Sequence, residues 1–225
     1  MKIIFVRHGH PNYKNDCLTE LGHLHAAAVA ERLADEKIDK IFSSSCGRAY
    51  ETGCYIAEKH GMEVTQLDFM REMSWGKKDT DDFLHPWNRS REWVAKGKDV
   101  MDMEWYADEE YDGRTVTACY HRVAAAFDEW LATLGLQREG CYYRITKATD
   151  DVIVLASHAG SSSAALAHIF NMPFTFVCRA IPPDYTAVTV VNFGGEEGEL
   201  TSPQFELVND ARHIKGVSVE NYFGN

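Results

Sequence analysis

Three segments far apart in the chain carry side chains suited to holding and moving an anionic group. They are Arg7-His8-Gly9, Arg48, and His158 within Ser157-His158-Ala159-Gly160. An arginine guanidinium is a rigid fork of N–H donors that matches phosphate oxygens and stays charged at any working pH. Two of them beside an imidazole should depress its pKa, which would keep His8 unprotonated and nucleophilic near neutrality. Gly9 lets the backbone pass close to the ring, where a carbonyl could fix the tautomer and leave one nitrogen facing a substrate. The start of a helix after His158 would add backbone N–H donors and a favourable dipole for an anion. Singly, each residue is commonplace; as a set they fit phosphoryl transfer.

The set converges only if the fold brings it together. Residues 2–6 form a short apolar run rich in β-branched side chains, which reads as a buried strand ending at Arg7-His8-Gly9. Thr19 reads as an N-cap, and Leu21, Leu24, Ala28, Val29 and Leu33 recur at helical spacing, predicting a helix over 20–35. A strand at 40–43, a helix at 47–60 closed by Gly61, and a strand at 64–69 follow. A helix is expected over 115–135, and residues 152–156 are the clearest buried strand, running into a helix over 161–170 that Asn171 and Pro173 stop. Residues 186–193 and 204–208 read as a closing antiparallel hairpin with Gly194, Gly195 and Gly198 in its turn. This alternation predicts a three-layer α/β/α sandwich with a mostly parallel central sheet. In such sheets ligands bind beyond the carboxyl ends of the strands, where Arg7, His8, Arg48 and His158 fall.

The 225 residues suit a single domain. Residues 73–112 break the pattern. They mix charges with Trp75, Trp87, Trp93 and Trp105, and are expected to form a helical insertion or lid. These tryptophans either line a cleft or fasten the insertion to the core, and Trp87, beside His85 and Pro86, is expected to face the pocket.

The net charge of −11 disfavours nucleic acid and acidic membranes as partners. It also makes paired arginines near a histidine more telling, because positive charge must be concentrated against the overall field. The run Ile3-Ile4-Phe5-Val6 is too short for a signal-peptide core, and no stretch approaches the ~20 apolar residues of a membrane span. Six cysteines without a C-x-x-C pair read as reduced thiols. A cytoplasmic protein is the expectation.

The sequence resembles the histidine phosphatase superfamily, which includes the cofactor-dependent phosphoglycerate mutases and many small-molecule phosphatases. The matching elements are Arg7-His8-Gly9, Leu18-Thr19-Glu20-Leu21-Gly22, the run Ser43 to Thr52 (SSSCGRAYET), Arg71-Glu72 and Ser157-His158-Ala159-Gly160, in the family's order. The resemblance implies that His8 becomes phosphohistidine and that Arg7, Arg48, His158 and the Ala159 N–H bind the phosphoryl oxygens. It also implies that Glu72 protonates the leaving oxygen and then activates water, a duty that needs a raised pKa or a proton shared with bound phosphate. The alternative for Glu72 is a surface carboxylate paired with Arg71. Two departures stand out: His10 and Pro11 replace the commoner Glu or Gln and Thr, and His25 replaces the usual Gln. Asn12 could substitute for a lost phosphate contact.

The activity implied is hydrolysis of a small-molecule phosphate ester without metal or organic cofactor. A mutase returning the phosphoryl group to its substrate, and a non-catalytic module that only binds phospho-ligands, are the rivals. A metal site built on His8 and His10 with His85, His121 or His158 is disfavoured by the adjacent guanidinium and by the lack of H-E-x-x-H or paired C-x-x-C. Gly194 to Gly198 is an acidic turn rather than a phosphate cradle. Residues 79–82 and Asp150-Asp151 read as solvated charge.

Overall fold

The computed structural model describes residues 1–77 and 89–217. In chain order the elements are β1 (Lys2–Arg7), β2 (Pro11–Asn12), β3 (Cys17–Leu18), α1 (Glu20–Arg32), β4 (Lys40–Ser44), α2 (Gly47–His60), β5 (Val64–Leu67) and α3 (Arg89–Ala95). Then follow α4 (Thr115–Thr133), β6 (Leu136–Glu139), β7 (Tyr142–Ile145), β8 (Val152–Ser157), α5 (Ala159–Ile169), α6 (Phe174–Ala180), β9 (Val188–Asn192), β10 (Leu200–Thr201) and β11 (Gln204–Asp210).

The main sheet has the order β11-β9-β1-β8-β4-β5. β1, β8, β4 and β5 run parallel, while β9 pairs antiparallel with both β1 and β11. Side chains of a strand alternate between its faces, and β1 shows the consequence. Ile4 and Val6 pack with Val29, Leu33 and Ile56 of the α1–α2 layer. Ile3 and Phe5 pack with Val123, Phe127, Ala164 and Val177 of the α4–α6 layer. A mostly parallel sheet covered on both faces by helices is the expected three-layer arrangement.

Glycine is required where the loop after β1 meets α1. A Cβ on Gly9 would lie 2.4 Å from the Gly22 carbonyl oxygen, and one on Gly22 would lie 2.2 Å from that of His10. The two glycines let the backbones interlock, with Thr19 capping α1 through the Gly22 N–H at 3.1 Å.

Several local expectations need correction. α5 starts at Ala159, two residues earlier than expected, and α1 ends at Arg32. The third strand stops at Leu67 and continues as a single 3-10 turn, Asp68–Met70. The β6–β7 hairpin and α6 were not anticipated; β10, within the expected turn of the closing hairpin, pairs with β7 to complete a small second sheet. Trp75, Trp93 and Trp105 are buried in the cluster that also holds Phe127 and Phe174, so these three fasten their segment to the core rather than line a cleft. Trp87, His85, Pro86 and residues 79–82 lie outside the described residues.

Candidate active site

β1, β4 and β8 end side by side, and their carboxyl ends deliver Arg7-His8, Arg48 and His158 to one place. The His8 and His158 rings meet edge to face with centroids 5.1 Å apart. Both rings are almost fully buried.

The hydrogen bonds of His8 define its tautomer. Nδ1 lies 2.7 Å from the Gly9 carbonyl oxygen, which can only accept, so Nδ1 carries the proton. Nε2 therefore holds a lone pair, and Arg48 Nε–H donates to it at 3.3 Å. Burial is the largest cause pushing the His8 pKa down to about 3. The Gly9 carbonyl opposes the shift, while Arg7 and Arg48 add to it. The expectation of a depressed pKa thus holds, but desolvation outweighs the arginines as its cause.

His158 is pushed well below the ordinary imidazole range, by burial first and then by His8, Arg48 and Arg7. Its Nε2 lies 2.8 Å from Ser44 Oγ, which in turn accepts the Cys46 N–H at 3.2 Å. The Ser44 oxygen keeps a second lone pair, so it can either donate to Nε2 or accept a proton from it. The His158 Nδ1 is buried and has no partner among the described residues, so it is open to an incoming ligand atom.

The two guanidiniums are held differently. Arg48 ion-pairs with Asp16, whose other oxygen accepts the Gly47 N–H at 2.9 Å at the start of α2. The Tyr13 ring centroid lies 5.4 Å from the Arg48 Cζ. Arg7 Nη1 donates to the Pro183 carbonyl at 2.8 Å, its Cζ lies 4.1 Å from the Tyr185 ring centroid, and its Nε is buried without a partner among the described residues. Thr52 ties the loops together, accepting the Gly9 N–H at 3.1 Å and donating to the Arg48 carbonyl at 2.8 Å. Glu51 accepts the Leu18 N–H at 2.7 Å.

Glu72 is not the surface partner of Arg71, which instead approaches Asp68 and Ser45. Its carboxyl sits at the start of α5, accepting Ser161 N–H at 3.1 Å and Met73 N–H at 2.8 Å through Oε1, and Gly160 N–H at 3.4 Å through Oε2. Burial raises its pKa, against the pull of these N–H donors and Arg48. Two of the α5 amides expected to serve a bound anion are thereby occupied by Glu72. Ala159, the first residue of α5, has an N–H that the helix itself does not use.

The structure thus gathers Arg7, His8, Arg48 and His158, and sets Glu72 and Ala159 together at the α5 terminus. Asn12 Oδ1 accepts the Asn15 N–H at 3.3 Å within the local turn, which leaves its Nδ2 as the group that could reach a phosphate. Asp16, Ser44 and Tyr185 were missed by sequence reasoning. Ser44 lies within a matching motif and was within reach; Asp16 and Tyr185 carried no signal. Among the described residues no cluster of three or more His, Cys, Asp or Glu could hold a metal ion, and no helix is long and apolar enough to cross a membrane. All six cysteines are free thiols.

The chain matches the family model for the histidine phosphatase superfamily (branch 1) over residues 3–205. It is 31% identical over 85 residues to a putative phosphoserine phosphatase 2 of Hydrogenobacter thermophilus, a match covering 34% of this chain and only 42% of that protein. Among solved structures it resembles a mycobacterial glucosyl-3-phosphoglycerate phosphatase with inorganic phosphate, at 21% identity and TM-score 0.67 over 95% of this chain and 99% of the other. It also resembles a phosphoserine phosphatase mutant of Entamoeba histolytica in complex with phosphoserine, at 18% identity and TM-score 0.63 over 95% and 98%. At these identities the structural likenesses speak for the fold. The family match over nearly the whole chain, carried by the motifs whose geometry is described above, makes this protein a member of the histidine phosphatase superfamily.

Proposed function

We propose that the chain is a phosphomonoesterase that hydrolyses a small-molecule phosphate ester through a phosphohistidine on His8, without metal or organic cofactor. The observation that carries this reading is the His8 tautomer: a proton fixed on Nδ1 by Gly9 and a lone pair on Nε2 in a nest of guanidiniums. A group that only bound phosphate would need no such nucleophile.

In this reading Arg7, Arg48, His158 Nδ1–H and the Ala159 N–H receive the phosphoryl oxygens, and Arg48 Nε–H moves from His8 Nε2 to one of them. Nε2 attacks phosphorus in line, the N–P bond forms and the ester P–O bond breaks. The leaving oxygen takes the proton of Glu72, whose raised pKa favours the protonated form this step needs. The resulting Glu72 carboxylate then removes a proton from water, whose oxygen attacks phosphorus. The N–P bond breaks, its electron pair returns to Nε2, and inorganic phosphate leaves with Glu72 protonated again. The chain acts as a single domain with residues 73–112 as an insertion, and Met73, at its start, lies against Gly160. The named activities of the relatives, on phosphoserine and glucosyl-3-phosphoglycerate, agree with a small phosphate ester as substrate. A cytoplasmic location suits such a substrate.

The test is hydrolysis of p-nitrophenyl phosphate in EDTA by the wild type and His8→Ala. EDTA-resistant turnover that the variant loses is expected. Activity surviving His8→Ala, or phosphate binding with no turnover of any ester in a metabolite panel, would refute the hydrolytic reading. Recovery of an isomeric ester instead of free phosphate would favour a mutase.

A further inference from the structure

The loop between α6 and β9 carries two features the mechanism above does not use. Thr186 is buried and has φ +52°, a left-handed conformation that is a strained outlier for a β-branched residue. The strain is held from both sides: the Thr186 N–H reaches the His8 carbonyl at 3.4 Å, and Thr186 Oγ1 lies 3.0 Å from His213 Nε2. His213 Nδ1 in turn accepts from Arg32 at 3.2 Å. The residue this backbone presents is Tyr185, whose ring lies against the Arg7 guanidinium.

Three histidines surround the same ring. His10 meets it edge-on at 5.3 Å, His25 stacks at 6.0 Å, and His8 lies at 6.1 Å. His10 and His25 are the positions at which the chain departs from the commoner family pattern, so both departures converge on one phenol.

We propose that Tyr185 is a positioning residue for Arg7, holding the guanidinium flat by its ring while leaving its charge unneutralised for a bound phosphoryl group. The contrast with Arg48 shows what the ring accomplishes. Arg48 is seated by the Asp16 carboxylate, a counterion that offsets part of its charge. Arg7 forms no salt bridge among the described residues; it rests on a carbonyl and an aromatic face, which attract a cation without supplying an anion. In a chain of net charge −11, one arginine seated in this way preserves positive potential where a phosphate dianion binds. The proposal rests on the phosphate-binding role assigned to Arg7 above.

The experiment compares wild type, Tyr185→Phe and Tyr185→Leu. Inorganic phosphate affinity is measured by calorimetry, and KM and kcat on p-nitrophenyl phosphate. Tyr185→Phe should stay within about twofold of wild type, because the ring and not the hydroxyl is the seat. Tyr185→Leu should weaken phosphate binding and raise KM by roughly tenfold, with a smaller change in kcat. A generally loosened fold would lower kcat and would not be rescued by Phe. Wild-type phosphate affinity in Tyr185→Leu, or an equal loss in Tyr185→Phe, would overturn the proposal. Should Tyr185→Leu not fold, the wild type alone decides: the Arg7 Nε–H proton resonance should be shifted upfield by the ring, and an unshifted resonance would overturn the seat. The calorimetry separates the two claims. A wild type that binds phosphate without turnover refutes the hydrolytic reading while the Tyr185 comparison still stands, and a wild type that binds none overturns both.

Discussion

Two polar clusters in this molecule are built from similar residue types and differ in what they leave undone. In the first, Asp128 accepts from Tyr143 Oη at 2.8 Å and pairs with His168 Nε2 at 2.8 Å, while Arg138 donates to Tyr143 Oη at 2.7 Å and to Asn171 Oδ1 at 2.6 Å. It joins α4, the β6–β7 hairpin and α5, and none of these side chains has a buried polar atom without a partner. In the second, at the carboxyl ends of β1, β4 and β8, Arg7 Nε and His158 Nδ1 are buried without partners among the described residues. Leaving a buried polar group unsatisfied costs about 1–3 kcal/mol, a cost that the phosphoryl group of the proposed reaction would offset at Arg7 Nε. Trp105 Nε1 and Tyr111 Oη are also buried without partners in the aromatic core, so what distinguishes the second cluster is where its open atoms lie, at three strand ends beside His8.

The sharpest way to break the comparison is to damage the open cluster. His8→Ala is expected to lower kcat on p-nitrophenyl phosphate by roughly a thousandfold or more while leaving the fold intact, as loss of a nucleophile does. Thermal unfolding monitored beside the assay would expose a folding defect that mimics this result. A subtler attack goes through Gly160. A Cβ there would lie 2.6 Å from Glu72 Oε1 and 2.8 Å from Met73 Cγ, so Gly160→Ala must displace the carboxyl. The expected loss in kcat is about a hundredfold, the scale of general acid–base assistance, with phosphate affinity little changed. Glu72→Gln, which keeps the shape and removes the acid, decides the point: retained kcat in that variant would remove Glu72 from the mechanism.

The closed cluster should answer in the opposite way. Asp128→Ala is expected to cost about 2 kcal/mol, a fall of roughly 4–8 °C in melting temperature for a chain of this length, with KM unchanged in the folded fraction. A loss of activity without a loss of stability would mean the closed cluster takes part in the reaction.

The smallest effect is a pH dependence. An unfolded His8 would protonate as the pH falls below about 6.5, whereas the folded one resists until about 3. The unfolded state therefore binds more protons in that window, and stability should fall as pH is lowered from about 6.5, by up to about 1.4 kcal/mol per unit for this residue. His213, depressed to about 4 by burial and Arg32, acts in the same direction. Denaturant titrations at pH 7 and 5 should show a smaller acid loss in His8→Ala than in wild type; equal losses would contradict the assigned pKa.

How much of this was legible in the sequence follows from the range of the interactions. β1 and β8 were readable because parallel strands buried on both faces carry long apolar runs, whereas β4 offers only Ile41 and Phe42 and was readable from its place before the α2 helix. Gly61 was readable because a left-handed helix cap favours glycine, and it has φ +63°. The β6–β7 hairpin was not: its β-branched content is low, and Tyr142 and Arg144 give it a polar look until β10 pairs with it. Arg7, His8, Arg48 and His158 could be placed because the sheet topology puts strand ends together. The role of Glu72 came from resemblance, and its contact with α5 spans 89 residues to Ser161, beyond any local pattern. Asp16 and Tyr185 were illegible for a related reason: each is presented by unusual backbone, Asp16 at φ +50° and Tyr185 beside Thr186. Left-handed non-glycine residues leave almost no mark in sequence.

The central claim is that His8 Nε2 becomes covalently phosphorylated. Its most direct test is to quench the protein within milliseconds of mixing with p-nitrophenyl phosphate, digest it under mildly alkaline conditions and search by mass spectrometry for a phosphorylated peptide. An acid-labile phosphoryl group on His8, absent from His8→Ala, is the predicted result. Burst release of p-nitrophenol with the label on another residue, or steady turnover with no phosphoenzyme at any quench time, would contradict it.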